Sequence, residues 1–454
     1  MRKIAIFSLL TLVMMLVISC SSKSYMDCIP AETSAVVSLD AAKITSAIGR
    51  QDIPLLSQLI GVGNAEDLGI DPSEKYYFFE TKDGILGFCA AVSSEKGLKK
   101  TVNEKLIPKR LCSKLSEKDG VSFTVFKDSW IVGFTNEALM ILGPVMQQSQ
   151  SQLKRRMIKW LNMDGRKSFT DSQMFEYLDE MSSPLALVAQ SHVLPEMFSS
   201  LVTLGLPRNV DPSQVIVSAE LTPSDGDILK VYVSTFSFNE GVEKQIGDAK
   251  KEFSNVTGNL LSKVSLLDMS VMVNVKGENL LTMLRDRKEF QSALAGINTA
   301  IDIDNIIRTF DGEVVMTTNN TDTSKELSIL AETSSSNWMK DVDYWKRSCP
   351  AGSSLINTKE RWFDYKFNNN NDGRHFYFGM IDDRHFFGTT IKGSETGDNI
   401  LQNNLKNIVA EKRMVVVLKK SSLFANLDLS MKAIAENAFS SLFGSSKIIV
   451  VTVN

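Results

Sequence analysis

The sequence predicts an α+β fold made of two similar halves, each a mixed, mainly antiparallel sheet with helices. Three observations predict it. Six Asp-Gly pairs punctuate the chain: Asp83-Gly84, Asp119-Gly120, Asp164-Gly165, Asp225-Gly226, Asp311-Gly312 and Asp372-Gly373. Both residues tolerate positive φ, so the pair suits tight turns between antiparallel strands. Four times, a short aliphatic or β-branched run passes through a polar step into an apolar stretch of helical spacing. The order of these units then repeats along the chain.

The elements follow in order. Ala35 to Leu39 reads as a strand and precedes a helix from Ala41 to Ile48. Tyr76 to Phe79 runs through Asp83-Gly84 into Ile85 to Val92, a hairpin, and a helix follows. A second hairpin covers 121–134, with a helix after it. Leu185 to Ala189 precedes a helix near Val193 to Phe198. Val215 to Leu221 turns through Asp225-Gly226 into Ile228 to Val233. The series then restarts. Val271 to Val275 precedes a helix from Glu278 to Leu284. Hairpins are expected over 313–331 and 374–390, with Phe363 to Phe367 also entering a hairpin through the asparagine tract. Met414 to Leu418 precedes Ser421 to Leu427, and Ile448 to Val453 is the last strand.

Matching positions lie at similar offsets: Val37 to Met272 is 235, Tyr76 to Glu313 is 237, Leu187 to Val416 is 229 and Val215 to Ile448 is 233. Ile131 to His385, at 254, is the exception. The expected organisation is a leader at 1–19, a tether at 20–33, a first repeat at 34–262 and a second at 263–454. The second copy would stop one strand early. Ile448 to Val453 would then lack its return strand and offer an edge for pairing with another subunit. A groove between the halves is the default ligand site.

Composition is that of a globular chain, with 43% hydrophobic and 23% charged residues, which excludes disorder and collagen as descriptions of the whole. Without its leader the chain holds 48 basic and 53 acidic residues, a net of −5, which argues against a nucleic-acid-binding body. Three histidines leave little room for histidine-based chemistry.

Met1-Arg2-Lys3 is a positive start, and Ile4 to Ile18 is a 15-residue apolar run. At 1.5 Å per residue it spans about 22 Å, short of a bilayer's hydrocarbon core. Val17-Ile18-Ser19-Cys20 follows. This resembles the bacterial lipoprotein signal, in which the cysteine is acylated and becomes the mature amino terminus. The resemblance implies lipidation of Cys20 (palmitate among the chains), a membrane partner through that anchor, and a bacterial envelope location. The absence of an acidic residue beside Ser21 points to the outer membrane with the body in the periplasm. After the tether, Ile29-Pro30-Ala31-Glu32-Thr33-Ser34-Ala35-Val36-Val37-Ser38-Leu39-Asp40 resembles the opening of an uncharacterised lipoprotein family of Bacteroidetes, a domain of unknown function. That family implies the location and carries no catalytic residues.

Four further cysteines, Cys28, Cys89, Cys112 and Cys349, permit disulfides in an oxidising envelope. Cys89 and Cys112 could meet; buried free thiols are the other reading.

No catalytic constellation stands out. There is no G-x-S-x-G. Ser93-Ser94-Glu95-Lys96 fits S-x-x-K, but reads more simply as a serine-capped helix start. Gly61-Val62-Gly63 lacks the remainder of a dinucleotide fingerprint. His192 stands alone. His375 and His385 flank a turn and could face each other across a hairpin, as ligand-binding candidates or, with a carboxylate, a metal pair. Asn368, Asn370, Asp372 and Gly373 mimic half a calcium loop, but the twelfth position is Gly379. Asp302 and Asp304 alternate before a helical stretch, with Asp304 a candidate cap. Leu153, Met157, Trp160 and Leu161 form an apolar stripe among Lys154, Arg155, Arg156 and Lys159, which suits a core-packed helix or an anionic membrane surface. Trp345 and Trp362 could stack on sugars or fill the core. The expectation is a non-enzymatic binding or interaction protein of the envelope, for a peptide, glycan or protein partner, with no cofactor, no metal and no catalytic residue assigned. The alternatives are an envelope hydrolase with its site in the groove between the halves, and a structural assembly subunit.

Overall fold

The computed structural model describes residues 24–48, 68–163, 165–207, 209–222, 227–285, 296–321, 324–367, 374–391, 405–424 and 429–453. The leader, Cys20, Gly61 to Gly63 and the Asn368–Asp372 turn lie outside them. The fold is α+β. The chain divides into two compact units, Met1–Ala42 with Leu56–Ser182 and Lys43–Leu55 with Ser183–Asn454.

The first unit is a seven-strand antiparallel sheet of β1 (Thr33–Leu39), β2 (Tyr76–Thr81), β3 (Leu86–Ala91), β4 (Ser116–Lys118), β5 (Val121–Phe126), β6 (Trp130–Phe134) and β7 (Ala138–Gly143). Its order is β1-β2-β3-β7-β6-β5-β4. The expected hairpin at Asp83-Gly84 is present, and Gly84 takes φ +77°, where a side chain would be strained. β7 was not anticipated as a strand. Helix Gln150–Leu161 buries Leu153, Met157, Trp160 and Leu161. It lies so close to β6 that a methyl group at Gly133 would run into the Met157 thioether.

Two basic residues of that helix, Arg156 and Lys154, are engaged within the unit. Arg156 donates to Asp83 at 2.5 Å and lies 4.7 Å from the Trp160 ring centroid. The Lys154 ammonium sits 5.4 Å from the Phe123 ring centroid. The membrane-facing reading of this helix therefore loses Arg156 and Lys154 to internal partners. Helix Glu95–Thr101 starts as a capped helix: Ser94 Oγ accepts from the Gly97 N–H at 3.0 Å.

The second unit holds β8 (Leu185–Gln190), β9 (Ile216–Thr222), β10 (Ile228–Phe236), β11 (Phe253–Ser254), β12 (Met269–Lys276), β13 (Phe310–Thr321), β14 (Ser324–Thr333), β15 (Ser354–Lys359), β16 (Trp362–Phe367), β17 (Arg374–Met380), β18 (His385–Thr389), β19 (Met414–Lys419) and β20 (Ile448–Val453). The order is β8-β9-β10-β20-β19-β12-β13-β14-β18-β17-β16-β15, with the short β11 also on β12. β19 lies between β12 and β20 and buries Met414 to Leu418 in a row, which explains its unbroken aliphatic run. β15 is the opposite case, an edge strand with four exposed residues at its end, including Lys359.

Ile448 to Val453 is not a free edge. β20 pairs antiparallel with β19 and parallel with β10, Val451 facing both Val416 and Val231. The vacant side expected from the repeat is filled by β10, which removes the support for subunit pairing there. Asp302, not Asp304, caps helix Ile303–Arg308, accepting from the Asn305 N–H at 3.0 Å, while Asp304 pairs with Arg285 at 3.2 Å.

The strand order of the first unit recurs inside the second: β12-β13-β14-β18-β17-β16-β15 has the same sequence of neighbours as β1-β2-β3-β7-β6-β5-β4. The register agrees with the sequence offsets. Val37 faces Phe78, and Met272 faces Val315, positions 235 and 237 further on. In the strand order β17 and β18 stand where β6 and β7 stand. The aberrant offset of 254 came from setting Ile131 of β6 against His385 of β18, one strand too far.

Candidate functional site

The residues singled out from sequence do not form one site. His375 lies in β17, its Nδ1 2.8 Å from Asp364 Oδ1 of β16 and its ring stacked on Tyr377 at 5.5 Å. His385 opens β18, and its Nδ1 is 2.7 Å from Asp382 Oδ1. The Ile381 N–H donates to the His385 carbonyl at 2.9 Å, so His385 stands opposite 381. His375 is six residues further along β17, about 20 Å away at strand rise. The two histidines therefore do not face each other. Among the described residues, no group of three or more His, Cys, Asp or Glu side chains could hold a metal ion.

Trp345 is a core residue, 3% exposed, stacked with Trp338 at 6.3 Å and an interplanar angle of 4°. It joins Phe363, Phe378 and Phe386 in the main apolar cluster of the second unit, so it cannot serve as an open platform. Of the two readings the sequence left open, the structure takes core packing for Trp345; its neighbour Tyr344 is the exposed one, at 64%. Trp362 is half-buried beside Gly379, with the Lys359 ammonium 4.4 Å from its ring centroid. The glycine at the twelfth position of the would-be calcium loop thus makes room for an indole.

The structure instead offers a pocket within the second unit. Leu201, Val202, Leu204 and Leu206 form one wall, with Ile246, Ala249, Lys250 and Phe253 opposite, and Thr235, Arg413, Met414 and Val453 closing it. The space along these residues, open solvent included, is about 430 Å³. The first nine of these positions in the chain precede residue 262 and the last three follow 263, so the walls come from both sides of the expected repeat boundary.

Local sequence explains each wall. Asn239 caps helix Glu240–Lys251 by accepting from the Gly241 and Val242 N–H groups. The helix buries Val242, Ile246 and Ala249 at i, i+4 and i+7. Lys250, four residues after Ile246, flanks that stripe and lines the pocket half-buried. Helix Glu196–Val202 ends in a loop in which Leu204 packs on the main cluster and Leu206 on a small cluster of Val215, Val242 and Ile246. Thr235 Oγ1 donates to the Val202 carbonyl at 3.2 Å, tying that wall to β10.

Two cations line the pocket, and a carboxylate, Glu243, acts on one of them. Burial lowers the Lys250 pKa from its ordinary 10.5; Glu243 opposes this and the Arg413 cation adds to it. Among the described residues, neither the Lys250 nor the Arg413 side chain makes a hydrogen bond or an ion pair. Two half-buried cations at the mouth of an apolar pocket are poorly solvated and repel each other. An anionic group placed between them would relieve both costs, while an apolar body would fill the space behind. No signal in the sequence could have gathered these residues, because Lys250 and Arg413 lie on segments more than 160 positions apart.

Comparison with known proteins adds the family. No curated protein matches the chain. Two crystal forms of TP0453 are similar over part of it: form IV at 13% identity, covering 46% of this chain and 78% of that one, with a TM-score of 0.28; form I at 11% identity, covering 45% and 74%, also with a TM-score of 0.28. No helix among the described residues is long and apolar enough to cross a membrane. A family described as a domain of unknown function, DUF4836, matches residues 41–437, most of the length, and the chain belongs to that family.

Proposed function

We propose that this chain is a lipid-anchored protein of the bacterial cell envelope that works by binding, and that the pocket at Lys250 and Arg413 takes a small amphiphile with one anionic group. The observation that carries the binding reading is the pair of half-buried cations lining an apolar pocket, neither of them hydrogen-bonded or ion-paired among the described residues, with Glu243 acting on Lys250 only at longer range. The envelope reading rests on the sequence Met1 to Cys20: a basic start, a short apolar run and a cysteine behind a small residue. Acylation contributes about 0.8 kcal/mol per buried CH₂, so two or three chains suffice for a durable tether. Origin in Bacteroidetes, and an outer-membrane anchor with the body in the periplasm, belong to this proposal. So does an internal duplication, supported by the recurring strand order and by register offsets of 235 and 237.

Two experiments test it. Calorimetric titration with decanoate, decanol and decylammonium should show decanoate binding best. Equal affinity for the three would remove the role of the cations. Mass spectrometry of membrane-extracted protein should show an acylated amino-terminal Cys20, lost in Cys20→Ser. An unmodified or uncleaved amino terminus would remove the anchor.

A further inference from the structure

Cys28 and Cys89 are 61 positions apart, and their sulfurs lie 3.3 Å from each other. Cys28 closes the turn Tyr25–Cys28 and is 1% exposed; Cys89 sits in β3 and is 0% exposed. The sequence left open a meeting of Cys89 with Cys112, or buried free thiols. Cys112 instead bridges to Phe126 of β5, away from this pair. Among the described residues, Cys28 and Cys89 are the one pair of thiols within hydrogen-bonding distance.

Other contacts fix the approach. The Tyr25 O–H donates to the Lys75 carbonyl at 2.8 Å, Thr170 Oγ1 donates to Asp27 Oδ1 at 3.0 Å, and the Phe169 N–H donates to the Ile29 carbonyl at 2.8 Å. These ties hold the segment before β1, on both sides of Cys28, to the residue ahead of β2 and to the turn Phe169–Asp171. From 3.3 Å, the sulfurs need to close by about 1.3 Å to reach bonding distance.

We propose that Cys28 and Cys89 form a disulfide that fastens the amino-terminal segment to β3. The reaction is thiol–disulfide exchange with an oxidised dithiol of the compartment. One cysteine thiolate attacks a sulfur of that disulfide, expelling one thiol and forming a mixed disulfide. The second cysteine attacks the mixed disulfide and expels the other thiol. One S–S bond forms in the protein and one breaks in the oxidant. The two electrons and both thiol protons pass to the expelled thiols.

Burial sets the timing. It pushes the Cys89 thiol up, so thiolate is scarce while the segment is docked, and exchange runs before docking or through local opening. The consequence is mechanical. Load on the segment ahead of Cys28 would pass through a covalent bond instead of three hydrogen bonds. The geometry stands without the pocket or the lipid anchor; only the oxidant depends on the compartment.

The test uses the full chain carrying Cys20→Ser, incubated with oxidised glutathione in mild denaturant, refolded and alkylated under denaturing conditions. The expected product is about 2 Da lighter before alkylation, yields a linked Cys28–Cys89 peptide and takes label on Cys112 and Cys349. Its thermal midpoint should exceed that of the reduced chain by about 5–10 °C. Cys28→Ala and Cys89→Ala should each lose that oxidation-dependent rise. Label on all four cysteines at redox equilibrium, or linkage of Cys89 to Cys112, would overturn the proposal. A Cys28–Cys89-linked protein whose thermal midpoint does not exceed that of the reduced chain would overturn the fastening role.

Discussion

Replacing Lys250 with methionine should separate stability from binding. Methionine keeps the length and apolar stem of lysine and removes the charge. In the empty protein that charge is held below its ordinary pKa chiefly by burial, and Arg413 is a like charge nearby. Removing a half-buried charge of this kind should stabilise the fold by about 1 kcal/mol. The pH dependence has a definite sign. The folded state disfavours the ammonium, so the unfolded state binds more protons between the depressed value and 10.5. Stability of the wild type should therefore rise with pH through that window, and the variant should lack the rise.

Binding should move the other way. A charge-assisted hydrogen bond from Lys250 to a carboxylate is worth about 2 kcal/mol, so decanoate affinity should fall about thirty-fold, with decanol unaffected. Affinity of the wild type for decanoate should also weaken as pH rises through the Lys250 titration. Denaturant melts and calorimetry read both effects. A variant that is less stable by more than about 1 kcal/mol, and that binds decanoate as well as the wild type, would refute the reasoning.

Three other predictions rest on single contacts. Glu313 is 1% exposed and accepts from the Thr257 and Gly258 N–H groups at 2.5 and 2.6 Å; Glu313→Ala leaves both donors without their acceptor and should cost about 3 kcal/mol in a urea melt. A methyl at Gly277 would run into the Ile307 carbonyl, which is backbone, so Gly277→Ala should cost about 2 kcal/mol by the same assay. The Arg156 hydrogen bond lowers the Asp83 pKa from 3.8 to about 2, so this pair's contribution is present above pH 3.8 and lost as pH falls towards 2. Arg156→Ala should flatten that part of the stability profile, by roughly half to 1 kcal/mol because the pair is largely exposed.

Strand pairs joined by Asp-Gly were legible because turn chemistry and alternation agree, as at Asp83-Gly84 between β2 and β3. The strand–helix steps were legible because the period changes abruptly, as from Met269–Lys276 to Gly277–Leu284. β7 was not. Its A-L-M-I-L-G holds one β-branched residue and buries both faces, so neither propensity nor alternation marks it. Missing β7 shifted the match of Ile131 by one strand. The partner of β20 was also illegible, since β10 lies more than 200 positions away and pairs parallel. The histidine pair failed for a related reason: a shared hairpin does not fix which residues stand opposite, and register puts His375 and His385 six positions apart. The pocket was beyond sequence reasoning altogether. Leucines 201, 204 and 206 look like core, and Lys250 looks like any helix-flank lysine until Arg413 is placed beside it.

The most direct measurement is a spectrum of the protein labelled at its methionine methyl groups, followed during titration with decanoate. Met414 lines the pocket and is 5% exposed, whereas Met140 and Met157 are buried in the first unit. Binding at this pocket gives a saturable shift of the Met414 methyl resonance, with Met140 and Met157 unmoved, and loss of that shift in Lys250→Met with Arg413→Gln. A Met414 resonance that stays in place at saturating decanoate, or one that shifts equally in the double variant, would contradict it.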